Sequence, residues 1–277
     1  MPDVPPAEFL VSLTVPIRTA AAGEQVWSGA GTGFFLQFQR EKDLITPLII
    51  TNKHVLHNAE RVGLTLHALD ENNRRRAGPG SEVIVEGIDK YIIQHPSPDV
   101  DIAAIIYGPI YKFIIRSYGW TPFHSTFEVG NIPNLEQWTQ FSALEDLIMP
   151  GYPIGLVDYE NNLPIIRRGI TATPCSSDYQ GRHEFLADIA VFPGSSGSPV
   201  VLLNQGAFTT PQGVFIGNRL WLLGILYAGH YQIASGEVIS APAPTSTLGI
   251  AEVQQMIHLG ICVRSTRLLD LESLIVQ

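Results

Sequence analysis

The chain of 277 residues is 45% hydrophobic and 16% charged, with 25 glycines and 20 prolines, which excludes a disordered protein and indicates a turn-rich globular one. Its formal net charge of -9 offers no electrostatic footprint for a phosphate backbone, so no nucleic-acid partner is expected, and the Arg-Arg-Arg run at 74–76 is interpreted as a solvated loop. The two cysteines, Cys175 and Cys262, form no C-x-x-C pair, which argues against a disulfide framework or a zinc ribbon and favours reduced thiols in a cytosol.

The N-terminal stretch MPDVPPAEFLVSL lacks the basic region and the long apolar run of a signal peptide. No run of about 18 uncharged apolar residues follows anywhere in the chain. We therefore expect a soluble, cytoplasmic protein without a membrane partner.

Short apolar runs rich in Ile, Val, Phe and Thr begin at Phe9 and are separated by Gly, Pro, Asn and Asp. They have strand lengths and strand spacing, and almost none repeats every 3.6 residues. The length allows two subdomains or one large β domain. Because similar runs resume after residue 144, we predict an all-β fold of two six-stranded antiparallel β-barrels with a C-terminal helix and a long inter-barrel crossover.

The stretch from about 108 to 144 interrupts this rhythm with aromatic residues, scattered prolines and little alternation, and it is the candidate crossover. The predicted organisation is an N-terminal barrel over residues 1–120, the crossover over 121–143, a C-terminal barrel over 144–246 and a C-terminal segment over 247–277.

Near the C-terminus the pattern becomes helical. The stretch TSTLGIAEVQQMIHLG has a Ser/Thr start, apolar residues at Ile250, Val253, Met256 and Ile257, and a glycine stop at Gly260. It predicts a capped amphipathic helix, followed by a short strand ICVRS and a second helix TRLLDLESLI, all packing on the barrels.

The stretch FPGSSGSPVV at 192–201 places serines between glycines directly before a strand-like run. Acyl transfer needs an exposed hydroxyl, a base to take its proton, and donors aimed at the developing oxyanion. Ser196 is framed by glycines on both sides, with Gly194 and Gly197 freeing the backbone. A plain Gly/Ser turn between two strands is the alternative.

His54 lies where the apolar run LIITN ends, and it could face a cleft at a strand end; a half-buried structural histidine is the alternative. His57 forms a His-x-x-His pair with it, but no acidic partner or helical pattern supports a metal site.

Asp101 directly precedes the apolar run IAAII. A carboxylate at the mouth of a buried strand needs a partner, and an imidazolium is a suitable one. Asp99 has the same side-chain parity and is the rival, but only Asp101 adjoins the apolar run.

The blocks GTGFF, ITNKHV, DVDIAAI, MPGYP, RRGITA and PGSSGSPVV, in this order, resemble the chymotrypsin-like trypsin family of serine peptidases. The resemblance is nearest to bacterial trypsin-like peptidase domains, and the serine motif is also similar to that of glutamyl endopeptidases. The chain order His, Asp, Ser is that of the chymotrypsin type.

The resemblance implies that Ser196 is the nucleophile, His54 the general base and acid, and Asp101 the orienting carboxylate. It also implies an oxyanion hole made by the backbone N–H groups of Gly194 and Ser196. The segment Tyr227, Ala228 and Gly229 resembles the strand that pairs with the substrate backbone.

Two departures limit what the resemblance implies. Ser195 stands where digestive relatives have the aspartate that captures a new N-terminus, so activation by such an ion pair is not expected, and loop ordering or a regulatory protein partner is the predicted alternative. Ala190 replaces the acid that reads Lys or Arg, and Leu226 stands where glutamyl endopeptidases have a histidine. We expect a small or apolar residue before the scissile bond, with His230 at the rim.

The sequence thus predicts an intracellular, regulated serine endopeptidase that acts on protein or peptide substrates, with a role in stress or defence and with no cofactor or metal. A catalytically silent peptide-binding module on the same fold is the second hypothesis.

Overall fold

The computed structural model describes residues 5–41, 44–154, 156, 158–238 and 249–275. The first half forms a curled sheet with the strand order β5-β4-β1-β2-β3-β7-β6, in which neighbours are antiparallel. Two short strands join it, β8 beside β4 and β9 parallel to β2. The strands are β1 (Thr14–Ala20), β2 (Gly29–Glu41), β3 (Leu44–Thr51), β4 (Arg61–Ala68), β5 (Ser81–Glu86), β6 (Ile92–Gln94), β7 (Ala103–Ile106), β8 (Pro122–Phe123) and β9 (Phe127–Glu128).

The second half contains a closed barrel in the order β10-β11-β12-β17-β16-β13. A separate hairpin, β14 with β15, projects between β13 and β16. The strands are β10 (Asp146–Gly151), β11 (Ile165–Thr171), β12 (Glu184–Asp188), β13 (Pro199–Asn204), β14 (Ala207–Thr210), β15 (Gly213–Ile216), β16 (Arg219–Val238) and β17 (Gly249–Arg264).

Helical segments are few and short. The α-helices are α1 (Pro6–Val11), α2 (Tyr107–Tyr118), α3 (Leu135–Trp138) and α4 (Glu272–Ile275), and the 3-10 helices are His54–Leu56, Ile88–Tyr91, Val129–Asn131 and Ser265–Leu271. No helix in the described residues is long and apolar enough to span a bilayer.

The two-barrel β class is confirmed, with one difference in the first half. The C-terminal barrel closes with six strands as predicted, whereas the described part of the first sheet curls without closing. Each half encloses its own apolar cluster, around Ile17, Phe35 and Val83 in the first and around Leu147, Phe185 and Val200 in the second.

A third apolar cluster lies between the halves. It combines Phe34 and Ile50 of the first sheet with Val201 of the barrel and with Leu268 and Leu271 of the C-terminal 3-10 helix. All five are fully buried. Burial of this shared surface packs the two halves together with the cleft along their seam.

The helix predicted over 245–260 is wrong for residues 249–260, which belong to β17; residues 245–248 lie outside the described residues. The apolar positions fit a helix face, but β17 pairs with β12 on one side and β16 on the other, and these ladders override the local pattern. The terminal helix predicted from TRLLDLESLI is confirmed, as the 3-10 helix Ser265–Leu271 continued by α4.

The first part of the irregular stretch that starts at residue 108 is the helix α2, which the sequence analysis did not predict. Tyr107, Ile110 and Ile114 are buried at helical spacing, and Gly119 ends the helix with a φ of 73° and an N–H bond to the Ile115 carbonyl. The predicted domain boundaries stay predictions, although β8 and β9, within 121–143, both join the first sheet.

Candidate active site

His54 is carried by the end of β3. The strand stops at the buried Thr51, and His54 opens the following 3-10 helix, in which Val55 and Leu56 are buried. These two apolar side chains anchor the turn, while the imidazole remains 49% exposed at the seam.

Asp101 binds His54 twice. The imidazole Nδ1 lies 2.5 Å from Asp101 Oδ2, and the His54 backbone N–H donates to Oδ1 at 3.2 Å. The buried Asn52 side chain donates to the Asp101 carbonyl at 2.7 Å and fixes the backbone. With Nδ1 donating to the carboxylate, Nε2 is left to face a substrate or a nucleophile.

The charge state of Asp101 follows from these contacts. Burial raises the pKa of the carboxyl, but the hydrogen bond and charge of His54 and the backbone amides of His54 and Lys53 outweigh it and bring the pKa below its usual value. The rival Asp99 instead lines a separate polar cavity of about 260 Å³ with Arg182 and Arg267.

The three serines of the glycine-rich turn have different surroundings. Ser195 and Ser198 are fully buried, whereas Ser196 is partly exposed. Ser195 Oγ accepts from Arg167 Nη1 at 2.6 Å and from the Phe192 N–H at 3.4 Å. Within the described residues the Ser196 hydroxyl has no hydrogen-bond partner, so it is the serine available for reaction.

The chain around Ser196 forms two consecutive β-turns, over residues 192–195 and 195–198. Each is closed by a backbone bond of 3.0 Å, from Ser195 to Phe192 and from Ser198 to Ser195. Gly194 and Gly197 hold the third position of these turns, both with φ 85°, which is the type II geometry that requires glycine there. Pro193 at the second position of the first turn favours the same type.

All five carbonyls of residues 192–196 accept a hydrogen bond. In chain order the donors are the Ser195 amide (3.0 Å), the Ile154 amide (2.8 Å), the Thr32 hydroxyl (3.0 Å), the Ser198 amide (3.0 Å) and the Thr32 amide (2.8 Å). No carbonyl oxygen of this segment is therefore left to occupy the cleft.

The backbone amides of this segment, unlike its carbonyls, are not all hydrogen-bonded. Between Phe192 and Ser198 only the N–H groups of Gly194 and Ser196 have no acceptor among the described residues. Because the Pro193 carbonyl is bound to Ile154, the N–H on the other side of that trans peptide points away from Ile154. Two unbonded N–H groups flanking an exposed hydroxyl are the donors that an oxyanion requires.

The serine turn is bonded to the first sheet close to the end of β3, which leads to His54. Thr32 of β2 bonds the Ser196 carbonyl, and the Thr51 hydroxyl donates to the Thr32 carbonyl at 2.8 Å. A Cβ on Gly197 would collide with the Thr32 carbonyl and the Thr51 hydroxyl, so the close approach requires glycine. Asp101 is thus bonded directly to His54. Ser196 is connected to the first sheet, which carries both residues, through Thr32 and Thr51.

The candidate substrate-binding segment lies in β16 beside the serine turn. Leu226 exchanges backbone bonds with Gly197 and Ser198, at 2.8 and 3.0 Å. The β13 ladder ends at the pair Pro199 and Ile225, so in the described structure one edge of residues 227–229 carries no strand, while β17 covers the other. An unpaired edge next to the nucleophile can accept an extended chain.

Apolar side chains pack closely around the glycines of this segment and of the neighbouring β17. A Cβ on Gly229 would meet Met256 and Val191, and one on Gly260 would meet Leu226 and Val191. Ala190, at the start of the serine loop, adds no charge.

Tyr227 turns away to a polar contact, since its hydroxyl lies 3.1 Å from Glu184 Oε1, and burial followed by the Glu184 charge raises its pKa to about 12.

Sequence reasoning missed Arg167 and Thr32, which hold the underside of the turn. Arg167 occupies a buried position of β11, whose exposure alternates along the strand. This alternation could have singled it out had the register been known. No cluster of three or more metal-ligating side chains occurs among the described residues, and His57 is exposed.

The family model described as trypsin-like peptidase domain matches residues 31–209, more than half of the chain. No curated protein matches the sequence.

Among solved structures, the HtrA-type protease AlgW with tripeptide superposes with a TM-score of 0.54 at 13% identity, covering 98% of this chain and 62% of that one. The inactive form of Rv3671c from M. tuberculosis H37Rv has a TM-score of 0.44 at 14% identity, covering 98% and 90%. A mutant of the tobacco etch virus protease has a TM-score of 0.44 at 12% identity, covering 92% and 74%. The chain spans less than two thirds of AlgW, and at this identity the likeness concerns the fold alone.

Proposed function

Because the chain belongs to the trypsin-like peptidase domain family, we propose that it is a serine endopeptidase with Ser196 as nucleophile, His54 as general base and acid, and Asp101 as orienting carboxylate. One observation carries the proposal: the partly exposed Ser196 hydroxyl belongs to a turn with two N–H groups without acceptors, and Thr32 and Thr51 bond this turn to the strand that leads to the carboxylate-held His54. A plain structural turn would have no reason to leave those two donors unbonded.

In the acylation step Ser196 Oγ attacks the scissile carbonyl carbon while His54 Nε2 takes its proton. The carbonyl oxygen becomes anionic and accepts from the Gly194 and Ser196 amides. His54 then gives the proton to the leaving amine as the C–N bond breaks, leaving an ester on Ser196. A water molecule attacks this ester, loses a proton to His54, and the released acid and regenerated hydroxyl complete the cycle.

Asp101 acts on His54 and not on the substrate. Its negative charge stabilises the imidazolium that forms in each step, and its two bonds keep Nε2 directed to the cleft. The lowered pKa of Asp101 keeps it ionised at neutral pH.

We propose that substrates bind as extended peptides along the free edge of residues 227–229, by strand addition. The presence of a tripeptide in the AlgW structure supports peptides as the class of substrate. The apolar side chains of Val191, Leu226 and Met256 around Gly229 and Gly260 support a preference for a small or apolar residue before the scissile bond.

A cytoplasmic location is part of the proposal, and the buried, unpaired thiols of Cys175 and Cys262 support it. A role in stress or defence and a regulatory protein partner stay predictions. The amides of Gly194 and Ser196 have no acceptor in the turn as it stands. In this proposal they bind the oxyanion without a rearrangement, so a partner would not be needed to reshape the turn.

The decisive experiment is labelling by a fluorophosphonate probe. Ser196→Ala should abolish labelling and lower peptide turnover on the order of a million-fold, with the fold intact by circular dichroism. Ser198→Ala, in the same motif but buried, is the matched control and should be labelled like the wild type. A wild-type protein that binds peptides but is never labelled would instead support the silent binding module.

A further inference from the structure

Arg167 is buried directly beneath the serine turn. It lies on β11, is 8% exposed, and its Nη1 donates to Ser195 Oγ at 2.6 Å and to the Ala190 carbonyl at 3.2 Å. The two acceptors stand at opposite ends of the loop 190–195, which leads into the turn with the two N–H groups without acceptors. One guanidinium nitrogen therefore ties both ends of this loop together.

The guanidinium has no carboxylate partner among the described residues. Its Nε and Nη2 are buried without an acceptor there, and burial alone lowers its pKa, to about 10. It remains a cation at neutral pH. A charge kept in such a place is costly, so a purely structural position would be filled better by an apolar side chain.

The neighbouring residues are shaped around this group. A Cβ on Gly151 would collide first with Ser198 Oγ and would also stand 2.9 Å from Arg167 Nη2, so glycine leaves space for both side chains. Thr32 in turn bonds the carbonyls of Gly194 and Ser196. Arg167 and Thr32 thus hold the same turn from below: Arg167 bonds the Ser195 side chain, and Thr32 bonds two backbone carbonyls.

The contact also decides which serine faces the cleft. Ser195 Oγ accepts from Arg167 and from the Phe192 amide, which keeps this side chain inside. With Ser195 held inward, the next residue of the tight turn presents its hydroxyl outward. Loss of the Arg167 bond would leave Ser195 Oγ with the Phe192 amide alone and would loosen the turn that presents the Ser196 hydroxyl and amide.

We propose that Arg167 is a positioning residue that holds residues 190–196 in the catalytically competent conformation, replacing a buried ion pair with a cation-to-hydroxyl bond. This inference rests on the serine endopeptidase function proposed above. Arg167 touches neither substrate nor the reacting atoms and acts through Ser195 and Ala190.

The test compares Arg167→Met, Arg167→Lys and Ser195→Ala with Arg168→Met, a control at the adjacent, exposed position of the same strand. Arg167→Met and Ser195→Ala should each lower kcat, per active site titrated, about 100-fold with little change in KM, because the oxyanion donor is displaced. The double variant should lose no more than Arg167→Met alone, since that change already removes the bond between Arg167 and Ser195. Arg167→Lys should recover part of kcat, and Arg168→Met should retain all of it.

A second readout is independent of turnover. In the Ser196→Ala background, hydrogen exchange at the Ser195 amide, which bonds Phe192, should quicken at least tenfold with Arg167→Met and not with Arg168→Met. Unchanged exchange, or variants that lose thermal stability but keep kcat, would overturn the role of Arg167. A wild type that is never labelled would overturn the endopeptidase function alone, because the exchange result would still stand.

Discussion

At the scale of single residues, Asp101 shows how one side chain sets the properties of another. Its two oxygens bind the ring and the backbone of His54, so the imidazole cannot rotate without losing a bond to a carboxylate that is itself fixed by Asn52. This arrangement selects the tautomer with the proton on Nδ1. With the proton on Nδ1, Nε2 is free to accept a proton from the nucleophile.

Asp101→Asn should lower kcat about 10⁴-fold while leaving the fold unchanged, because an amide can donate to Nδ1 and favour the wrong tautomer. The measurement is peptide hydrolysis normalised to folded protein. Asp99→Asn, two residues away and outside the histidine contact, is the control and should remain within a few-fold of the wild type. Equal losses in both variants would assign the effect to the loop and not to the carboxylate.

The lowered pKa of Asp101 also gives a pH dependence of stability. Because its folded pKa lies below the unfolded value of about 3.9, the unfolded state binds more protons in between. The stabilisation is complete above that value and is lost as the pH falls through the folded pKa. Urea unfolding of the wild type and Asp101→Asn should show a gap at pH 7 that narrows below pH 4, and a constant gap would contradict the ion pair.

At the scale of elements, the serine turn depends on glycine for conformation and for space. Gly194 has a φ of 85°, and a Cβ there would lie 2.8 Å from the Ile154 amide and the Tyr152 carbonyl. Gly194→Ala should therefore displace one oxyanion donor and lower kcat about 10² to 10³-fold. Gly130→Ala, where a Cβ would meet nothing within 4 Å, is the matched control and should keep full activity.

The elements differ in how far sequence alone could define them. The strand class, His54, Asp101 and the serine motif follow from local signals, since short β-branched runs and a glycine-framed hydroxyl are readable without a partner. Residues 249–260 of β17 were predicted as a helix because their apolar spacing fits both structures, and only pairing with β12 and β16 decides between them. Arg167 was missed because its meaning depends on the register of β11 beneath Ser195.

At the scale of the whole molecule, the C-terminal segment links the two halves to the catalytic loop. His95 is buried, accepts from the Ser97 amide through Nδ1, and donates through Nε2 to Asp270 at 2.9 Å. The same loop continues to Asp101, and the Ser97 carbonyl accepts from Lys53, next to His54. The position of the carboxylate is therefore tied to residues near the end of the chain.

The apolar cluster between the halves contains residues of both halves and of the C-terminal 3-10 helix, so we expect it to stabilise the whole molecule. Leu268 is fully buried with Phe34 of the first sheet and Val201 of the barrel, so Leu268→Ala should lower the free energy of unfolding by about 2–5 kcal/mol in one cooperative transition. Leu269→Ala, at the neighbouring position that is 39% exposed, should change it by less than about 1 kcal/mol. Urea unfolding followed by tryptophan fluorescence and by circular dichroism measures both. Two separate transitions, with only one moved by the Leu268 change, would show that the halves unfold independently and that the C-terminal helix belongs to one of them.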